Sequence, residues 1–127
     1  MLPTQSVLIV DESIETRTVL RTALEQQGRQ IYEATGTDEA LQLAHLHHPS
    51  VIVFDLENKR APAPTLADEF RSAALLPSSL LLLGTARRVA QDFPKGEFVA
   101  KPYHYAPLIR KIEELLAKAR QPAAASV

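Results

Sequence analysis

An open α/β fold, with a five-stranded parallel sheet doubly wound by helices, is what this sequence predicts. Three observations carry that expectation. Short apolar runs alternate with amphipathic stretches five times along 127 residues. The strongest runs show no polar alternation, the pattern of strands covered on both faces. Repeated strand–helix order implies right-handed crossovers between parallel strands.

The first strand is "SVLIV", Ser6 to Val10. Ser13 is placed to cap a helix reaching about Gln27, with Leu20, Ala23 and Leu24 facing the core and Gly28 as its stop. A weaker strand, "QIYEA", covers Gln30 to Ala34. The second helix opens at Thr37 with Asp38 and Glu39, acids suited to a first helical turn, runs through Leu41 and Ala44, and ends before Pro49. The third strand is "VIVF", Val51 to Phe54. The stretch "KRAPAP", Lys59 to Pro64, reads as loop, and a helix is expected around Leu66 to Ala74. "LLLL", Leu80 to Leu83, is the fourth strand and "GEFVA", Gly96 to Ala100, the fifth. The last helix has the plainest signature: Leu108, Ile109, Ile112, Leu115, Leu116 and Ala119 repeat on one face. The tail "QPAAASV", Gln121 to Val127, reads as frayed or as a linker stub.

Composition narrows the function classes. The length suits one domain, and a hydrophobic fraction of 46% with 23% charged residues is ordinary for a globular core. A net charge of −1 with interspersed signs gives no basic footprint for nucleic acid. No apolar stretch is long enough to span a membrane, and no secretory signal is visible. The absence of cysteine excludes disulfides and thiolate metal sites and is compatible with a reducing cytoplasm, the expected location.

The chemistry-bearing residues stand at strand ends. In an open parallel sheet, ligands bind beyond the carboxyl ends of the strands. Asp11 and Glu12 follow the first strand and Asp55 the third. If those strands are neighbours, three carboxylates converge and favour a hard divalent cation, Mg²⁺, among them. Thr85 follows the fourth strand and Lys101 the fifth. A hydroxyl and an ammonium on that rim suit the oxygens of a transferred phosphoryl group, with Asp55 as the nucleophile. Taken singly, each of these residues is an ordinary solvated loop or cap residue. Their joint placement is what makes a pocket.

The pieces "LIVDE" (Leu8 to Glu12), "VIVFDLE" (Val51 to Glu57), "LLLGTA" (Leu81 to Ala86) and "EFVAKPY" (Glu97 to Tyr103) occur in an order that resembles the response-regulator receiver domains of two-component signalling. The resemblance implies a flavodoxin-like sheet of order 2-1-3-4-5 and a receiver domain over residues 1–120. It implies that Asp55 accepts phosphate from a sensor histidine kinase or a histidine phosphotransfer protein. Asp11, Glu12 and Asp55 would hold Mg²⁺ with the backbone carbonyl of Glu57. Thr85 and Lys101 would contact the phosphoryl group, Lys101–Pro102 would be cis, and Phe98 would stand at the aromatic switch position. Such a domain signals to a downstream effector and is not a metabolic enzyme.

The sequence departs from that family in three places. Glu12 replaces the usual second Asp, the loop after Asp55 reads "DLENKRAPAP" without the family's Met-Pro and Gly, and "ARRVAQDFPKG" (Ala86 to Gly96) leaves room for only a shortened fourth helix. These departures motivate an alternative: a degenerate receiver that works as a phosphorylation-independent interaction module. A flavodoxin-like nucleotide or flavin binder is a third reading, opposed by the absence of a Gly-rich phosphate loop after the first strand. Phe98 and Tyr103 are read first as packing residues. "HLHH" (His45 to His48) lacks a third ligand and reads as a solvated helix end, and Arg87 and Arg88 read as a solvated pair.

Overall fold

The computed structural model describes residues 5–59, 68–69, 79–85 and 96–120. Strands β1 (Ser6–Val10), β2 (Gln30–Ala34), β3 (Val51–Asp55), β4 (Ser79–Gly84) and β5 (Glu97–Ala100) form one parallel sheet of order β2-β1-β3-β4-β5. The described helices are α1 (Ile14–Gln26), α2 (Thr37–His47) and, at the C-terminal end, α3 (Tyr105–Arg120). The predicted architecture and strand order are therefore those observed. The expected loop beyond Lys59, the shortened helix expected within residues 86–95, and the tail from Gln121 lie outside the described residues. Within the helix expected at Leu66 to Ala74, Asp68 and Glu69 are helical.

Period-two side-chain alternation divides the core between the two faces of the sheet. Leu8, Val10, Ile52, Phe54, Leu80 and Leu82 pack with Ala40 and Ala44 of α2. Val7, Ile9, Val51, Val53, Leu81 and Leu83 pack with Leu20 and Leu24 of α1 and with Leu108, Ile112, Leu115 and Leu116 of α3. Both faces of β1, β3 and β4 are thus covered, which is why their sequences are apolar without alternation. Ala119, placed on the buried face by spacing, is exposed instead. It sits where α3 nears its end, one turn past the last residues that reach the sheet.

The ends of α1 follow their local chemistry. The Ser13 hydroxyl accepts a hydrogen bond from the Thr16 N–H at 3.2 Å. At the other end Gly28 takes φ +82°, and the N–H groups of Gly28 and Arg29 close on the carbonyls of Glu25 and Leu24. That is a Schellman closure, and it needs a residue that tolerates left-handed backbone. Helix α2 ends with His48 at φ 47°, its N–H bonded to the Ala44 carbonyl, just before Pro49. Of the histidine run, His45 and His48 are exposed, while the His47 ring stacks on Tyr32 at 3.7 Å.

Candidate functional site

Strands β1 and β3 are hydrogen-bonded neighbours, and β3, β4 and β5 pair in succession. Parallel register brings their carboxyl ends to one edge, so Asp11, Asp55, Thr85 and Lys101 meet there although they span 91 positions of sequence. The Lys101 ammonium donates to Asp55 Oδ1 at 2.6 Å. Asp55 Oδ1 also accepts the Glu57 N–H at 3.1 Å. The Lys101 N–H donates to the Gly84 carbonyl at 2.9 Å, and the Lys101–Pro102 bond is cis.

Asp11 is buried, and its Oδ1 accepts the Ser13 N–H at 2.8 Å. One carboxylate thus anchors the turn whose serine caps α1. Burial raises the Asp11 acid above its ordinary value, and the charge of Asp55 raises it further, against the lowering effect of the Ser13 N–H. A desolvated carboxylate facing a second one is an electrostatic arrangement that a cation between them relieves. Arg17 of α1 clamps the same turn from outside, donating to the carbonyls of Asp11 at 2.7 Å and Glu12 at 3.1 Å while its Nε bonds Glu33 at 2.9 Å. Sequence reasoning missed Arg17, because nothing in its spacing ties a surface-helix arginine to a turn before the helix.

The three-carboxylate cluster expected from the sequence is narrower in the fold. Among the described residues, no group of three or more His, Cys, Asp or Glu side chains is gathered to hold a metal ion. Asp11 turns inward to bond Ser13 while its neighbour Glu12 is exposed. Successive residues leaving an extended strand face opposite sides, so two adjacent acids are not both directed into one pocket by the strand itself.

A third carboxylate does reach the rim, and it belongs to a residue whose expected role lies in its backbone alone. Glu57 Oε2 accepts the Thr85 N–H at 3.2 Å and also the Thr85 hydroxyl, and Oε1 accepts the Lys101 ammonium at 3.1 Å. The Thr85 hydroxyl, followed by Lys101, holds the Glu57 acid below its ordinary value. For Lys101, burial works against the charged form, but the bonds to Asp55 and Glu57 outweigh it, and its pKa is raised. The ammonium is therefore charged at neutral pH. Asn58, buried at the start of the following loop, donates through Nδ2 to the Thr35 carbonyl at 3.2 Å. Phe98 of β5 is partly buried and packs with the core on the α2 face, near Leu56 and Gly84.

Comparison with known proteins bears on the fold. No protein-family model matches the chain. It is 27% identical over 121 residues to a probable transcriptional regulator of Cyanophora paradoxa, which covers 93% of the chain and 51% of the relative. It is 29% identical over 119 residues to the transcriptional regulatory protein PdtaR of Mycobacterium tuberculosis, covering 91% of the chain and 58% of the relative. The chain thus spans somewhat over half the length of these relatives. Among solved structures, a chemotaxis protein of Vibrio cholerae superposes with a TM-score of 0.77 at 20% identity, over 89% of this chain and 99% of that one. A response-regulator receiver domain of Francisella gives 0.78 at 20% identity, over 92% and 100%. The fold is that of receiver domains, and the resemblance extends over about nine-tenths of the chain.

Proposed function

We propose that this chain is a phosphoacceptor receiver domain of a two-component phosphorelay, with Asp55 as the residue that carries the phosphoryl group. The observation that supports it best is the meeting of Asp55, Lys101, Thr85 and a buried Asp11 at the carboxyl edge of adjacent parallel strands. Lys101 and the Glu57 N–H both bond Asp55 Oδ1, which orients the carboxylate and presents Oδ2 for attack on phosphorus. A P–O bond to Asp55 forms as the P–N bond of a partner's phosphohistidine breaks, and the departing imidazole nitrogen retains the electron pair and takes up a proton. Lys101 offsets charge on the phosphoryl oxygens, and the Thr85 N–H and hydroxyl are donors for one of them.

The residues present fit a divalent cation in part. Asp11 and Asp55 are the side-chain donors, with the Glu57 carbonyl as a backbone donor and Glu12 within the same turn as Asp11. Mg²⁺ bound there would neutralise charge between the two carboxylates and on the phosphoryl group. Release of Thr85 from its present partners and repacking of Phe98 would carry the signal to an interaction surface read by a downstream effector. The chain would promote its own phosphorylation and hydrolysis as a signalling protein. In that reading its partner is a sensor histidine kinase or a histidine phosphotransfer protein.

Titration with beryllofluoride and Mg²⁺, a phosphoryl mimic, tests the assignment. Saturable, Mg²⁺-dependent binding by the wild type that is lost in Asp55→Ala is the expected result. Absence of binding, or equal binding by the variant, refutes it. Exposed Glu12 and the engaged Glu57 favour a second reading, a receiver fold that acts as an interaction module without phosphorylation. Mg²⁺-dependent phosphorylation of Asp55 by acetyl phosphate would exclude that reading.

A further inference from the structure

Three donors at the rim point to one place. The Thr85 N–H, the Thr85 hydroxyl and the Lys101 ammonium all bond the Glu57 carboxylate. Together they make a small anion site whose occupant is a carboxylate of this chain. Lys101 is shared between that carboxylate and Asp55, at 3.1 and 2.6 Å. The anion site therefore lies beside the carboxylate that would be phosphorylated.

Glu57 reaches this site because its backbone is held. Asp55 ends β3, its Oδ1 accepts the Glu57 N–H, and the Asn58 N–H closes on the Asp55 carbonyl at 3.2 Å. That tight turn carries the Glu57 side chain across toward β4 and β5. The side chain is itself 41% exposed, so the carboxylate can leave for water without unpacking the core.

We propose that Glu57 is a built-in competitor for the phosphoryl oxygens: its carboxylate occupies the anion site formed by Thr85 and Lys101, and an incoming anion gains that site only by displacing it. The proposal rests on the phosphoacceptor reading of Asp55 and deepens it by naming what regulates loading. The Thr85 N–H and hydroxyl carry one proton each and cannot serve two anions at once, and each vacated charge-assisted hydrogen bond must be replaced. Displacement of Glu57 is therefore a threshold set by this chain itself. It lowers apparent affinity for phosphoryl mimics, and it keeps Thr85 drawn toward the β3 turn in the unphosphorylated protein.

The test combines amide NMR with beryllofluoride titration of the full chain. In metal-free, anion-free protein, Glu57→Ala is expected to shift the Thr85 amide resonance strongly, since its acceptor is removed. With Mg²⁺ present, Glu57→Ala is expected to bind beryllofluoride about tenfold more tightly than wild type, the scale of one lost charge-assisted contact. Glu57→Gln, which keeps the shape but removes the charge, should lie between them. The gain should persist in 0.5 M salt, because short-range contact is screened little while a diffuse charge effect is screened strongly. Equal affinities in wild type and Glu57→Ala, an unmoved Thr85 amide, or a gain abolished by salt would each overturn the competitor and leave the Asp55 reading standing. No binding by either protein would remove the Asp55 reading, and the competitor with it.

Discussion

At the scale of single residues, the charge of Asp11 works against folding, while the proposed function would use it. It is buried, faces Asp55 and has a raised acid, so its ionised form costs the folded state. The sign follows from linkage. A carboxyl raised in the fold binds more protons there than in the unfolded chain, so stability falls as pH rises from the ordinary value of 3.8 through the raised one. Asp11→Asn keeps the acceptor for the Ser13 N–H and removes the charge. We expect this variant to melt higher than wild type at pH 7, by roughly 2–5 °C, the span that about 1 kcal/mol covers in domains of this size. The difference should shrink as pH is lowered through Asp11's raised titration range, where the wild type also becomes neutral. Thermal melts in a pH series check this, and an Asn variant that melts lower at pH 7 would refute it. Under the proposed function, the same variant should lose Mg²⁺-dependent anion binding, since one of the two proposed side-chain donors would be gone.

At the scale of elements, α1 is the clearest case of ends specified by local chemistry. Ser13 caps one end through its hydroxyl and Gly28 closes the other with φ +82°. Ser13→Ala is expected to cost about 1 kcal/mol. Gly28→Ala is expected to cost about 1–2 kcal/mol: a Cβ there would meet nothing within 4 Å, so the penalty is backbone strain and not collision. The two positions lie about 20 Å apart along the helix and share no partner, so the double variant should lose the sum within about 0.5 kcal/mol. Denaturant titrations of the three variants measure this, and a large coupling would mean that α1 folds as more than its two caps. The outer face of α1 carries a second duty, since Arg17 and Arg21 both hold Glu33 on β2. Arg17 reaches on to the Asp11 turn, so the helix positions the acid loop that precedes it.

At the scale of the whole molecule, stability is expected to be graded across the sheet. Strands β1 and β3 are buried throughout their apolar lengths and sit between neighbours on both sides. Strand β5 is an edge strand with only partial burial of Glu97, Phe98 and Val99. Amide hydrogen exchange should therefore find the slowest protons in β1 and β3, opening only with global unfolding, and faster ones in β5. Protection in β5 equal to that in β1 would contradict this gradient. Phe98 lies on edge strand β5 and Lys101 directly follows it, while Asp55 ends the central strand β3. Under the proposed phosphoacceptor reading, this distribution would set Asp55 on a fixed strand and the switching residues on a movable one.

Much of this is legible in the order of the residues alone. Continuous apolar runs announce β1, β3 and β4 because a strand covered on both faces has no polar side to show. Caps and stops announce the ends of α1 because they act within four residues of chain. The acids after β1 and β3 announce an edge site because parallel strands all end on the same side. What only tertiary structure decided was which groups touch. The family resemblance assigns Glu57 only a backbone carbonyl, yet its side chain lies against Thr85 and Lys101, partners 28 and 44 positions away that only the pairing of β3, β4 and β5 brings near. Glu12 is legible as a ligand, yet it is exposed while Asp11 turns inward. Local rules act through bonds and near neighbours, so a sequence displays them. Which carboxylate faces which ammonium depends on side-chain direction at strand ends and on sheet order, and those exist only once the chain has folded.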